Sequence, residues 1–212
     1  MAERIAKILE EVEQAKVSCG RTDDVALMAV SKTHPYEAVQ EAVACGQLLF
    51  GENRVQEIQQ KFPFDRIGYR LHLIGHLQTN KVKKAVACVD AIDSIDSLRL
   101  ARRVSIEAEA IGKRIPVLIE WNTSNEASKA GFQDEQLYWQ LLEQSSELKG
   151  IEIQGLMTIG PLVDDEKQVR SAFARLRHIA EKSRSAFPHL CFDTLSMGMS
   201  QDFRQAIACG AT

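Results

Sequence analysis

A chain of 212 residues, 45% hydrophobic and 26% charged, has an ordinary globular composition, and one α/β barrel of about 200–250 residues would account for its whole length as a single domain, residues 1–212. A net charge of −3, with Lys and Arg spread along the chain, argues against a nucleic-acid or anionic-membrane partner. Five widely spaced cysteines, an odd number with no Cys-x-x-Cys, argue against a disulfide frame or a zinc site and fit reduced thiols in the cytoplasm. Glu3, Glu10, Glu11 and Glu13 are foreign to a signal peptide, and no apolar run is long enough to span a bilayer.

Ile5, Ile8, Leu9, Val12 and Ala15 recur at helical spacing and predict an amphipathic helix over 3–17. The run Val25 to Val30 reads as a buried strand ending at Lys32, with Pro35 at the first position of the next helix and Gly46 just past its end. A lysine there would hold its amine at the edge of an apolar interior. Desolvation disfavours the ammonium, and such an amine is a nucleophile able to form a Schiff base with a carbonyl compound. A lysine snorkelling to solvent from a strand end is the plainer reading.

Leu48 to Gly51 is a second strand, with Glu52 to Glu57 opening a helix. Leu71 to Gly75 is a third, passing through His76 to Thr79 into a helix carrying Lys81, Lys83 and Lys84. Further strands are expected at Ala91–Asp96, Ile115–Asn122, Ile151–Ile159 and Phe192–Met197, each followed by an amphipathic helix. The longest connection, Asn122 to Phe132, reads as a lid or a variable surface loop. Strict alternation with short connections implies parallel strands. Seven such units and an N-terminal helix fall one strand short of a (β/α)8 TIM-type barrel. An open doubly wound sheet fits less well, because no Gly-x-Gly-x-x-Gly follows the first strand.

In either architecture ligands bind at the carboxyl ends of the strands, where Lys32, Asn53, His76, Asn122, Thr158, Ser196 and Gly198 fall. The turn Ser196-Met197-Gly198-Met199-Ser200 offers backbone N–H groups and hydroxyls to a phosphate, or is an ordinary turn with Ser200 as cap. Asn53 could bond a ring hydroxyl, orient Lys32 or cap a helix. His72 and His76 have the i, i+4 spacing of a metal pair, but they sit on a strand pattern with no acidic third ligand nearby, so no metal is expected.

The motifs Ala-Val-Ser-Lys32-Thr, Phe-Gly-Glu-Asn53-Arg-Val-Gln-Glu, His72-Leu-Ile-Gly-His76-Leu-Gln-Thr-Asn-Lys81, Ser128-Lys-Ala-Gly-Phe132, Gly155-Leu-Met157-Thr-Ile-Gly160 and Leu195-Ser196-Met-Gly198-Met-Ser-Gln-Asp202 occur in this order across nearly the whole chain. Together they resemble the pyridoxal phosphate homeostasis protein family, whose members are similar to the N-terminal barrel of alanine racemase (fold type III). The resemblance implies that Lys32 carries pyridoxal 5'-phosphate as an internal aldimine. It further implies that Ser196 and the backbone around Gly198 hold the phosphate, that Asn53 lies against the ring and that Met157 packs near it. Family members continue past the Gly-x-Thr seen here as Gly210-Ala211-Thr212, into an eighth strand with an Arg and a Gly on the phosphate. The strand is expected beyond Thr212, because an unpaired edge beside buried strands is costly.

The resemblance implies a cytoplasmic monomer that holds and exchanges the cofactor, with apo-enzymes that use it as partners, and no robust turnover. The alternative is an amino-acid racemase. Two-base racemisation needs a second acid/base opposite the lysine. Alanine racemases take it, a tyrosine, from a separate β-domain. Tyr36 and Tyr138 read as helical here, and Tyr69 precedes a strand at its amino end. A metal-dependent hydrolase rests on the two histidines alone.

Overall fold

The computed structural model describes residues 1–212 except Asn125, Ala127 and Ser128. Part of the expected lid, and the first residue of the Ser128 to Phe132 motif, therefore lie outside the described residues.

Helix α1 (Ala2–Ser18) precedes the alternating units β1 (Ala29–Val30), α2 (Tyr36–Ala44), β2 (Leu49–Glu52), α3 (Val55–Lys61), β3 (Arg70–Leu73), α4 (Val82–Cys88) and β4 (Ala91–Ile95). They continue as α5 (Leu98–Glu109), β5 (Ile115–Glu120), α6 (Glu135–Glu143), β6 (Ile151–Met157), α7 (Glu166–Ala186), β7 (Thr194–Ser196) and α8 (Phe203–Ala208). Side-chain caps set several helix starts: Ser97 Oγ accepts from Leu100 N, Asp134 from Gln136 N and Asp165 from Lys167 N. Among the described residues no helix is long and apolar enough to cross a membrane.

All seven strands are parallel and pair in chain order, β1 to β7. The two edges are brought together through one residue. Thr212 N donates to Leu195 O of β7 at 3.2 Å, and Thr212 O accepts from Ala26 N, ahead of β1, at 2.8 Å. Leu195 N also donates to Thr212 Oγ1 at 2.9 Å. The sheet thus curls into a barrel of the expected kind with seven strands, and Thr212 stands in the gap between the first and the last.

Residues paired across parallel strands share a face, so the register sorts the side chains. One face carries Phe50–Leu71, Leu73–Ile92–Val117–Ile153 and Ile119–Leu156–Leu195. These pack with Ile58, Val86, Val104, Leu141 and Leu176 of the helices into the main core. The opposite face lines the barrel: Val30–Gly51–His72 and Glu120–Met157–Ser196 are rows on it.

The largest departure from the sequence reading is the first strand. Only Ala29 and Val30 pair with β2; Val25 to Met28 are unpaired with it, and none of Val25 to Val30 is buried. The apolar run is extended chain whose hydrogen-bonding groups turn to other partners: Ala26 N to Thr212 and Leu27 O to Gln47 Nε2. Lys32 is therefore exposed, and the expected desolvated position at the edge of an apolar interior is not found. Pro35 takes the cap position of α2 rather than its first turn, and Thr33 has φ 67°, left-handed backbone that a β-branched residue seldom adopts. Asp202, not Ser200, occupies the cap position of α8.

Candidate functional site

The carboxyl ends of the strands form one rim. Lys32 stands two residues after Val30, where the inner-face alternation meets solvent, and among the described residues no side-chain hydrogen bond or ion pair engages its ammonium. Asn53 follows Gly51 on β2 in the same way and is half-buried. Its backbone lies so close to Gly75 that a Cβ there would sit 2.4 Å from Asn53 O, so only glycine lets the ends of β2 and β3 converge.

On the other side Met157 is buried and pairs with Ser196, half-buried at the end of β7. Gly198 follows with φ 95°. A Cβ on it would meet Ala206 Cβ at 2.7 Å and Phe203 Cα at 3.0 Å. Met199 N donates to Asp202 Oδ1 at 2.5 Å. The N–H groups of Gly198, Ser200 and Gln201 find no acceptor among the described residues. Neighbouring amides of this kind, next to the Ser196 and Ser200 hydroxyls, suit an anion with several acceptor oxygens.

The remaining rim positions named from sequence are committed elsewhere. Asn122 Nδ2 donates to Glu126 O at 2.7 Å and Lys129 O at 3.1 Å, folding its loop upon itself. Lys129 Nζ ties that loop to Gly160 O at 2.8 Å. Thr158 Oγ1 donates to Trp121 O at 2.7 Å and lies 2.9 Å from Thr123 Oγ1, joining the ends of β5 and β6. His76 Nδ1 is 3.0 Å from Asp96 Oδ2, and His72 Nδ1 is 3.0 Å from Asp93 Oδ1. Each histidine has its own carboxylate, and among the described residues no three His, Cys, Asp or Glu side chains are grouped to hold a metal.

Three features escaped the sequence reading. Glu52, expected to open a helix, ends β2 and is fully buried. Its Oε1 accepts from Ser31 Oγ at 2.7 Å and from Lys61 Nζ, while Oε2 has no partner among the described residues. Inside the barrel, Asp93 is buried with Oδ2 unpartnered.

Glu120, also on the inner face, is buried. Burial first, and the nearby Asp96 charge second, push its carboxyl from the usual 4.5 up to about 7. A carboxyl raised on folding stabilises fully below the unfolded value, and that contribution is lost as pH rises towards 7. Stability is therefore expected to fall between pH 4.5 and 7 by on the order of 3 kcal/mol from this group alone. Glu120→Gln should flatten that part of a denaturant-measured stability profile and be the more stable form at pH 8. A variant that keeps the wild-type slope would contradict the assignment.

A family model described as the N-terminal domain of alanine racemase matches residues 5–210. The pyridoxal phosphate homeostasis protein of Vibrio cholerae is 38% identical over 216 residues, covering 99% of this chain and 90% of its own. The solved structure of PipY from Synechococcus elongatus without PLP superposes with a TM-score of 0.90 at 38% identity, covering all of this chain and 95% of that one. PipY with PLP bound superposes at 0.85 and 36% identity, covering 100% and 94%. On identity, coverage and fold together, the chain belongs to the pyridoxal phosphate homeostasis protein family, built on the alanine racemase N-terminal domain.

Proposed function

We propose that this protein binds pyridoxal 5'-phosphate, with Lys32 as the amine that joins it, and that it holds and releases the cofactor without robust turnover of its own. The observation that carries the reading is the placement of Lys32: an exposed amine with no partner among the described residues, on a rim that also bears the free amides around Gly198. The PLP-bound PipY structure, at 36% identity, supports it.

The residues present fit that cofactor. The group supplies an aldehyde that condenses with an amine, expelling water, to a reversible imine. Lys32 offers the amine at the mouth of the barrel. Ser196 and the amides of Gly198, Ser200 and Gln201 offer donors to phosphate oxygens. Met157 presents an apolar surface beside Ser196, and Asn53 a polar one above Gly51. An exposed lysine suits a carrier, because cofactor must enter and leave. Apo-enzymes in the cytoplasm are the recipients this reading implies, with the carrier a monomer.

Racemisation is the second reading, and the tyrosines weigh against it. Tyr138 is fully buried on α6, 2.6 Å from Ser183 Oγ and packed edge-on against Trp121 of the outer core. Tyr36 and Tyr69 lie 3.3 Å apart, hydroxyl to hydroxyl, and pack with Phe62 on the helix side of the sheet. None of them lines the barrel, so none is available as a second base facing Lys32.

An absorption spectrum of the purified protein with added cofactor tests binding, and an amino-acid racemase assay tests turnover. A band near the visible edge without racemisation is the expected pair of results. Turnover near or above about 1 s⁻¹, typical of enzymes, would overturn the carrier reading.

A further inference from the structure

Lys32 stands two residues past the end of a two-residue strand and just before strained backbone, a poor platform for a reactive amine. A single side chain from another element holds that platform. The Lys61 ammonium, at the end of α3, donates to Ser31 O at 2.7 Å, to His34 O at 3.1 Å and to Glu52 Oε1. An ammonium has three N–H donors, and all three are used. The two carbonyls belong to the residues on either side of Lys32-Thr33, so one cation spans the segment that carries the amine.

Two more bonds close the arrangement: Ser31 Oγ to Glu52 Oε1 at 2.7 Å and His34 N to Ser31 O at 3.1 Å. Lys61 is nearly buried, with its side chain 12% exposed, and its ammonium lies 5.0 Å from the centre of the Phe62 ring. Glu52 supplies the charge that makes a lysine tolerable there. Thr33, at φ 67°, is the only described non-glycine residue with positive φ. Strain of that kind persists only where the surroundings over-determine it.

We infer that Lys61 and Glu52 are positioning residues: an ion pair that clamps Ser31 and His34 so that the intervening Lys32 presents its amine to the cofactor. Lys61 acts on the backbone carbonyls around Lys32 and Glu52 on the Ser31 hydroxyl and on Lys61 itself. The inference rests on Lys32 being the cofactor amine, and its test separates the two.

The test compares wild type with Lys61→Met and with the double variant Glu52→Gln/Lys61→Met. The double variant removes both charges together, so no buried carboxylate is left uncompensated if the single variant fails to fold. Two readouts are taken. Amide hydrogen exchange of residues 31–35 is measured without cofactor, and the half-saturating concentration of pyridoxal phosphate is measured by absorbance. Exchange in that segment should accelerate while the central strands stay protected. Half-saturation should rise on the order of 10- to 100-fold, as displaced reactive groups typically cost. A folded double variant with wild-type exchange at 31–35 and wild-type half-saturation would overturn the inference. If wild type takes up no cofactor at Lys32, the functional reading fails, and the exchange data alone decide whether the pair orders the segment.

Discussion

Lys32→Ala is expected to abolish covalent uptake of pyridoxal phosphate while leaving the fold intact. The side chain is exposed and makes no hydrogen bond or ion pair among the described residues, so its loss orphans no described buried group. Exposed substitutions of this kind cost within about 0.5 kcal/mol of stability. The chemical effect is total by contrast, because alanine has no amine to condense with the aldehyde. The absorption band near the visible edge should vanish, and borohydride should fix no cofactor to the variant. The unfolding midpoint should match wild type. A band that survives borohydride treatment and dialysis in Lys32→Ala would move the attachment to another lysine.

The second large effect is expected at Gly198. Its φ of 95° is disfavoured for any residue with a Cβ, and that Cβ would press on Ala206 Cβ at 2.7 Å and Phe203 Cα at 3.0 Å. Valine there meets both penalties: about 1–2 kcal/mol for the left-handed backbone and about 1–3 kcal/mol for overpacking against α8. The turn must move, and with it the amides of Gly198, Ser200 and Gln201. Gly198→Val should therefore lose stability in denaturant titration and raise half-saturation by pyridoxal phosphate at least about 100-fold. Half-saturation by pyridoxal, which lacks the phosphate, should change far less. Equal losses for the two ligands would argue that the turn holds no phosphate.

The parallel barrel was legible because its central strands are covered on both faces and read as apolar runs, Ile115 to Ile119 most plainly. That a turn at Gly198 follows the last strand was legible too, since glycine suits the left-handed backbone, φ 95°, found there. The first strand was misjudged for a physical reason. An apolar run marks a buried strand only where its backbone joins the sheet, and here Ala29 and Val30 pair with β2 while Ala26 N and Leu27 O bond to Thr212 and Gln47.

The ion pair of Glu52 and Lys61 could not be read from spacing. Its partners lie on a strand and a helix, and its purpose becomes visible only with the Ser31 and His34 carbonyls in place. Glu120 could not be singled out from the strand pattern; the register places it inside, in the row with Met157 and Ser196.

The most direct measurement is peptide mapping of the wild-type protein after incubation with pyridoxal phosphate and reduction with borohydride. The account predicts one stoichiometric phosphopyridoxyl group on the peptide containing Lys32. A label on a different lysine, or scattered at low occupancy over many surface lysines, would contradict it.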